Sequence, residues 1–316
     1  MSIHFHISVK IANFVIEYRP NFMNKAIVIV LFLCVASVCY GQSKRAFLVG
    51  ISEYTSEAAS DNAWTNIHGA NDVSLISMSL KKQGFTLNQL TDKECTAFNI
   101  RKQLKNFTKH IRKGDIVYIH FSCHGQPYED IDGDEDDGWD ESLVPIDAQM
   151  IYSETNYKGQ NHIIDDDLNV FLNDIRVRAG NNGTVYVVID ACHAGSSYRG
   201  NDDACDSLII RGTDRGFSSI GKDYTPRIDR RSSLRVDHYS NMADICVIEA
   251  CRSYQVNSEI KQNGKYYGSL SWYINDVISR YTIGKDFSWV KYVSDEMDKD
   301  IRLVRQNMVI ESSKTL

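Results

Sequence analysis

The chain has 316 residues, of which 43% are hydrophobic and 24% charged, the composition of an ordinary globular protein with room for one large domain or two small ones. A net charge of −6 and the lack of a basic stripe argue against a nucleic-acid surface. Eight cysteines are too few for a disulfide scaffold at this length.

The first feature in chain order is the apolar run Ala26 to Tyr40, with Lys25 before it. It is too short for a comfortable membrane span and suits the apolar core of a signal peptide, with cleavage between Gly41 and Gln42. Met23 reads as the true start. Residues 1–41 are therefore expected to be an extension plus a signal peptide, and the mature protein to be exported, periplasmic or secreted, with no membrane span. Two rivals are weaker. One is an uncleaved anchor helix; the other is a lipoprotein using Cys39, where Val38 fits a lipobox poorly. Export would leave Cys95, Cys123, Cys192, Cys205, Cys246 and Cys251, with pairing among some of them open.

Arg45 to Ile51 reads as the first strand. Ser52 to Asn66 is polar, with Trp64 as an anchor. A helix begins near Gly69, with Val73, Ile76 and Leu80 on one face, and Gly84 ends it. Phe85 to Leu90 is a short strand. Thr96 caps a helix carrying Ile100, Leu104, Phe107 and Ile111 at helical spacing. The apolar run Ile116 to Phe121 is a buried strand that ends in Ser122-Cys123-His124-Gly125. Asp165 to Arg178 is a helix. Thr184 to Asp190 is a second buried strand, ending in Asp190-Ala191-Cys192-His193-Ala194-Gly195. Ser196 to Asn241 is a long polar stretch, of the kind that is functional or disordered in a compact domain. Asp244 to Glu249 resumes the sheet. Helices follow at Leu270 to Tyr281 and around Val290 to Val304, and Gln306 to Ile310 offers a last edge strand. Alternating strands and helices imply right-handed crossovers and a largely parallel sheet covered on both faces.

Active sites of open α/β sheets lie outside the carboxyl ends of the strands. Two strands thus deliver a thiol and an imidazole to one sheet edge. The imidazole makes the thiol a thiolate at neutral pH and then protonates a leaving amine. Cys192, flanked by small residues, reads as a nucleophile rather than a buried structural thiol, and His124 as its base rather than a core histidine. The amides of Gly125 and Cys192 are expected to form an oxyanion hole. His193 is the rival base, but a residue adjacent to the nucleophile usually points elsewhere, so it reads as structural. Asp190 shares the side of Cys192 by strand alternation.

Ser-Cys-His-Gly and Asp-Ala-Cys-His-Ala-Gly, each at a strand end and in this order, resemble the two catalytic blocks of metacaspases (orthocaspases in the bacterial branch), which are caspase-like cysteine peptidases. The resemblance runs from about Arg45 to near the C-terminus. It implies an α/β caspase-like fold with a largely parallel six-stranded sheet. Residues 42–195 would be a large-subunit-like part, 196–241 an activation and processing loop, and 242–316 a small-subunit-like part. It implies a likeness of function as well: a cysteine endopeptidase, a monomer, cutting peptide or protein substrates after Arg or Lys. Asp190 would line the pocket for the basic residue, with Asp72 in a looser match and Ser122 beside them. Two carboxylates there favour Arg or Lys and repel Asp.

Self-processing in the long loop is expected, with the cluster Arg227, Arg230, Arg231 and Arg235 as the cut. The acidic segment Asp130 to Asp147 is no EF-hand, since its glycine falls one place late and the final Glu is missing. Its core resembles a recurrent metacaspase segment. The resemblance implies calcium as the one cofactor, through Asp140, Asp165 and Asp166, and the chemistry itself needs none. Arg199 stands where calcium-dependent relatives carry a further Asp; Asp202 and Asp203 are the nearby substitutes. Two rivals stay open: a catalytically idle caspase-fold scaffold that binds a partner, and a peptidase of this fold with another P1 preference.

Overall fold

The computed structural model describes residues 10, 11, 14, 15, 42–54, 63–133, 135, 137–193, 208–225, 234 and 236–315. Two compact units divide the chain, Met1–Gln42 and Ser43–Leu316. In the first, Lys10–Ile11 pairs antiparallel with Phe14–Val15. The apolar run Ala26 to Tyr40 and Gly41 lie outside the described residues. No helix among the described residues is long and apolar enough to cross a membrane.

The second unit opens with β1 (Lys44–Gly50), α1 (Gly69–Lys82), β2 (Phe85–Thr91), α2 (Ala97–Lys109) and β3 (Ile116–Ser122). Three short strands follow, β4 (His124–Glu129), β5 (Trp139–Val144) and β6 (Ile163–Ile164), then α3 (Asp165–Ala179) and β7 (Thr184–Asp190). The last part holds β8 (Asp244–Glu249), β9 (Glu259–Gln262), β10 (Lys265–Gly268), α4 (Ser269–Arg280), α5 (Ser288–Met297) and β11 (Val309–Ser312).

Six strands form the central sheet in the order β11-β8-β7-β3-β1-β2. All neighbours are parallel except the β8–β11 pair at the edge. Strand alternation sends Phe47, Val49, Val117, Ile119, Val185 and Val187 to one face, where α2 and α3 contribute Ile100, Leu104, Leu168 and Leu172. Ala46, Leu48, Tyr118, Tyr186 and Val188 face the other way, onto Ile76, Leu80, Ile274, Trp289 and Val290 of α1, α4 and α5. The expected Thr96 cap is present, its hydroxyl accepting from the Asn99 amide at 3.2 Å.

Three differences from the sequence reading concern boundaries. The last helix stops at Met297, and a single 3-10 turn, Ile301–Leu303, replaces its expected continuation to Val304. Asp300 is extended there and its carboxylate caps the Arg302 amide, so the apolar Ile301 and Val304 stay in solvent. The last strand is Val309–Ser312, slightly later than expected. The sequence reading places no strand in the acidic segment Asp130 to Asp147, yet its end forms β5, paired antiparallel with β4 and β6.

Register brings the strand ends together. Gly50 pairs with Ser122, and Ser122 with Asp190, so β1, β3 and β7 stop at one level. β4 and β5 rise from that level, and residues 208–217 lie along it.

Candidate active site

His124 starts β4, directly past the end of β3. Its ring lies between Trp64, stacked at 5.0 Å, and Tyr54, at 4.8 Å between centroids. Trp64 is itself held by its indole N–H, which donates to Ala148 O at 3.1 Å. The hydroxyl of Tyr54 accepts from the His124 amide at 3.0 Å and donates to Val144 O at 2.9 Å. His124 Nε2 lies 2.8 Å from Thr65 O. A carbonyl only accepts, so the proton is on Nε2, and Nδ1 carries the lone pair. That Nδ1 is buried and has no hydrogen-bond partner among the described residues. Burial pushes the His124 pKa down to about 4, so the ring is neutral at pH 7.

Cys192, two residues past β7, is buried, and its thiol donates to Gln255 O at 2.9 Å. The Cys251 thiol reaches the same carbonyl at 3.4 Å. The Cys251 pKa is driven well up, first by its hydrogen bond with Cys192 and then by burial. Cys95, Cys123, Cys192, Cys246 and Cys251 are all thiols, while Cys205 lies outside the described residues. His193 is half-buried, and the desolvation of its ring, which lies against the backbone of Ser142, holds its pKa at about 4.

The site is not empty. Arg211, from the stretch expected to be a mobile loop, is fully buried in it. Its backbone carbonyl accepts from the amides of both Gly125, at 3.2 Å, and Cys192, at 3.0 Å. Its own amide donates to Asn257 O at 3.1 Å, and the Glu259 amide donates to Ile209 O at 2.9 Å. Residues 209–211 thus add a short antiparallel strand to 257–259, the way a bound extended peptide adds to a sheet edge.

The Arg211 guanidinium enters a fully buried acidic pocket. Nη2 lies 2.7 Å from Asp72 Oδ2 and 2.9 Å from Glu259 Oε1, and Nη1 donates to Ser122 Oγ at 2.6 Å. Asp190 is more distant, at 3.6 Å from Nη1. Its oxygens are already engaged, Oδ1 by Asn257 at 2.7 Å and Oδ2 by the Ser271 amide and hydroxyl at 2.8 and 2.6 Å. The expected pocket residues Asp72, Ser122 and Asp190 do gather here. Asp72 makes the shorter ion pair, and Asp190 holds the wall. Burial raises the Asp72 pKa to about 7 against the pull of Arg211. For Asp190 burial acts in the same upward sense, but Arg211 with the Ser271 and Asn257 bonds leaves it below its usual value.

Sequence reasoning does not reach Glu259, and it counts Arg211 among the basic residues of the long loop without singling it out. Glu259 begins a short polar strand with no motif around it, and Arg211 is one of many arginines in a polar stretch. Glu259 is oriented by His68, whose Nδ1 lies 2.5 Å from Oε2 and whose amide donates to Oε1 at 2.7 Å. Gly268 closes the pocket: a Cβ there would come within 2.1 Å of Asp190 Oδ2 and 2.6 Å of Arg211 Nη1.

The suggested calcium residues fit a metal only in part. Asp165 is buried, its Oδ1 has no partner among the described residues, and its pKa is raised to about 9 by burial and then by Glu141 and Asp140. Among the described residues, however, no three acidic, His or Cys side chains converge closely enough to hold an ion. Arg199, Asp202, Asp203, Arg227, Arg230, Arg231 and Arg235 lie outside the described residues.

A sheet that ends in a Cys and a His beside a buried acidic pocket defines a class, and the sequence profile described as Caspase domain matches residues 43–313. The chain belongs to the caspase-domain family and has its fold. Among curated relatives, Metacaspase-1 of Scheffersomyces stipitis is 28% identical over 75% of this chain and 62% of its own. Metacaspase-1B of Aspergillus oryzae is 28% identical, covering 75% of this chain and 60% of that protein. The chain therefore spans less than two thirds of the length of these relatives. A crystal structure of a Geobacter sulfurreducens protein superimposes with a TM-score of 0.57 at 19% identity, covering 87% of this chain and 94% of that one. At that identity it speaks to the fold.

Proposed function

We propose that the protein is a cysteine endopeptidase that cuts after Arg, and after Lys, by a His124–Cys192 dyad. The observation that carries the reading is the pose of Arg211. A basic side chain fills the acidic pocket while the carbonyl that follows it accepts from the Gly125 and Cys192 amides. Those amides would stabilise the oxyanion of a tetrahedral intermediate. In the reaction, Cys192 Sγ attacks the P1 carbonyl carbon and its proton passes to His124 Nδ1. Nδ1 returns that proton to the leaving amine, and water then hydrolyses the thioester. The neutral ring with its lone pair on Nδ1 suits the first transfer.

The same pose bears on self-processing. It presents the Arg211–Gly212 bond to the site, and we propose that bond, in place of the expected Arg227 to Arg235 cluster, as the primary cut. The scaffold reading draws on one observation, that the Cys192 thiol is bonded to Gln255 O. A scaffold, however, has no need of two amides converging on a carbonyl beside that thiol.

Purified protein offered matched fluorogenic peptides ending in Arg, Lys or Asp, with Cys192→Ala as control, tests the reading. Turnover of Arg and Lys peptides by the unmutated protein alone supports it. No turnover of any peptide, with reductant and with or without calcium, would favour the scaffold. Turnover centred on Asp or a neutral residue would favour the other P1 preference.

Calcium regulation and export complete the proposal. The first rests on the orphaned Asp165 oxygen, with Asp140 and Asp166 nearby in the acidic set, and is tested by activity and calorimetry in chelator against millimolar calcium. Export rests on the Ala26 to Tyr40 run and is tested by the N-terminal mass of the mature protein, expected to begin at Gln42.

A further inference from the structure

Beyond the scissile position, the chain does not leave the site. Gly212 forms a parallel bridge with Gly125, and Phe217 one with Tyr128, so the segment tracks β4. The Phe217 amide donates to Pro127 O at 2.8 Å, and the Glu129 amide donates to Phe217 O at 2.9 Å. Between them, Gln126 Nε2 donates to Arg215 O at 2.8 Å. The backbone is thus held at both ends and in the middle.

Three positions are read. At Gly212 a Cβ would sit 1.9 Å from Cys192 O, a backbone atom fixed by the site itself. At Gly216 a Cβ would sit 2.3 Å from the Trp139 ring. Phe217 is almost fully buried in an aromatic box. It stacks on Tyr128 at 5.1 Å, lies tilted against His162 at 4.7 Å and meets Tyr157 and Tyr152 edge-on at 5.6 and 6.0 Å. The wall of the box is held by its own hydrogen bonds. His162 is fixed by Tyr157 OH at 3.0 Å and by Gln126 Oε1 at 2.9 Å.

We infer that these contacts are the enzyme's subsites on the leaving-group side. Its preferred substrates then carry the pattern Arg-Gly-x-x-x-Gly-Phe, cut between Arg and the first Gly. The chain's own residues 211–217 are the first such substrate. The inference rests on the peptidase reading above and adds the substrate class to it. Specificity of this kind combines an attractive element, the buried aromatic ring, with two repulsive ones, the glycine-only approaches.

The test uses full-length protein after self-processing and internally quenched peptides of sequence Ile-Ile-Arg-Gly-Thr-Asp-Arg-Gly-Phe-Ser. Single changes replace the first Gly by Ala, the second Gly by Ala, or Phe by Ala; a further peptide shifts Phe by one position. An Arg-amide substrate with nothing beyond the cut serves as control. We expect kcat/KM to fall about 10- to 100-fold when Phe is removed or shifted, as for losing a buried aromatic side chain. We expect about tenfold or more for Ala at the first Gly, and a smaller loss at the second. Arg-amide turnover with equal rates on all the longer peptides would overturn the inference and leave the peptidase reading standing. No turnover of Arg-amide or of any longer peptide would overturn both.

Discussion

The three buried carboxyls around Arg211 are not equivalent, and substitutions should tell them apart. Asp72 contacts the guanidinium at 2.7 Å and is bonded otherwise to Ser122 and the Gly268 amide. Asp72→Asn should lower turnover of an Arg peptide by about 2–5 kcal/mol, at least about thirtyfold in kcat/KM, while a peptide with a neutral P1 residue changes little. Asp190→Asn should behave differently, because Asp190 ties β7 to α4 through Ser271 and to Asn257. It should lower the melting temperature as well as activity, since one carboxyl oxygen becomes a donor facing donors. Peptide kinetics and melting curves on the two variants check this, and equal melting losses would count against the distinction. At the thiol, Cys192→Ala should abolish all turnover and self-cutting. Its effect on stability should be only about 1 kcal/mol, since the side chain is small.

Among elements, the end of β10 sets the depth of the pocket. Gly268→Ala places a methyl group between Asp190 and the arriving guanidinium. The expected outcome is loss of Arg and Lys turnover, with peptides of small P1 residues least affected. Self-cutting should then stop too. In the unmutated protein, prolonged incubation should yield a fragment that starts at Gly212, seen by intact mass; a start after Arg227, Arg230, Arg231 or Arg235 would sink that assignment. The central sheet, with its buried strands and flanking helices, was legible because apolar runs and helical spacing are local signals. So was the meeting of His124, Cys192, Ser122 and Asp190 at one level, because strand ends in a parallel sheet share an edge; Asp72, on α1, was expected there only from the family resemblance. β4, β5 and the docked segment were not legible. Their residues are polar and acidic, and their pairing is with distant chain: Gly125 with Gly212, Tyr128 with Phe217. Nothing within a window around Glu259 or Arg211 announces a partner that lies far away in sequence.

For the whole molecule, buried titratable groups set the response to pH. His120, His124 and His193 are pushed down to about 4 and His162 to about 3, each first by burial. A depressed His contributes stability that is present above its unfolded value near 6.5 and is lost as pH falls through its folded value. Asp72 and Asp165, raised to about 7 and 9, act in the opposite sense: their contribution is lost as pH rises. Four histidines against two aspartates leave stability rising from pH 4 to about 6.5, by at most about 2–3 kcal/mol per pH unit, and declining slowly above it. Melting temperature against pH should therefore peak near 6.5. A curve flat from pH 4 to 7 would contradict the buried neutral histidines, and His120→Asn should shallow its acid limb. The docked 209–217 segment also bears on the reaction order of self-cutting. Occupant and site belong to one chain, so their encounter is set by an effective concentration that no dilution changes. Protein that is still uncut should stay closed at any concentration, and opening should follow first-order kinetics with one half-time, whereas cutting by a second copy would quicken as the protein is concentrated.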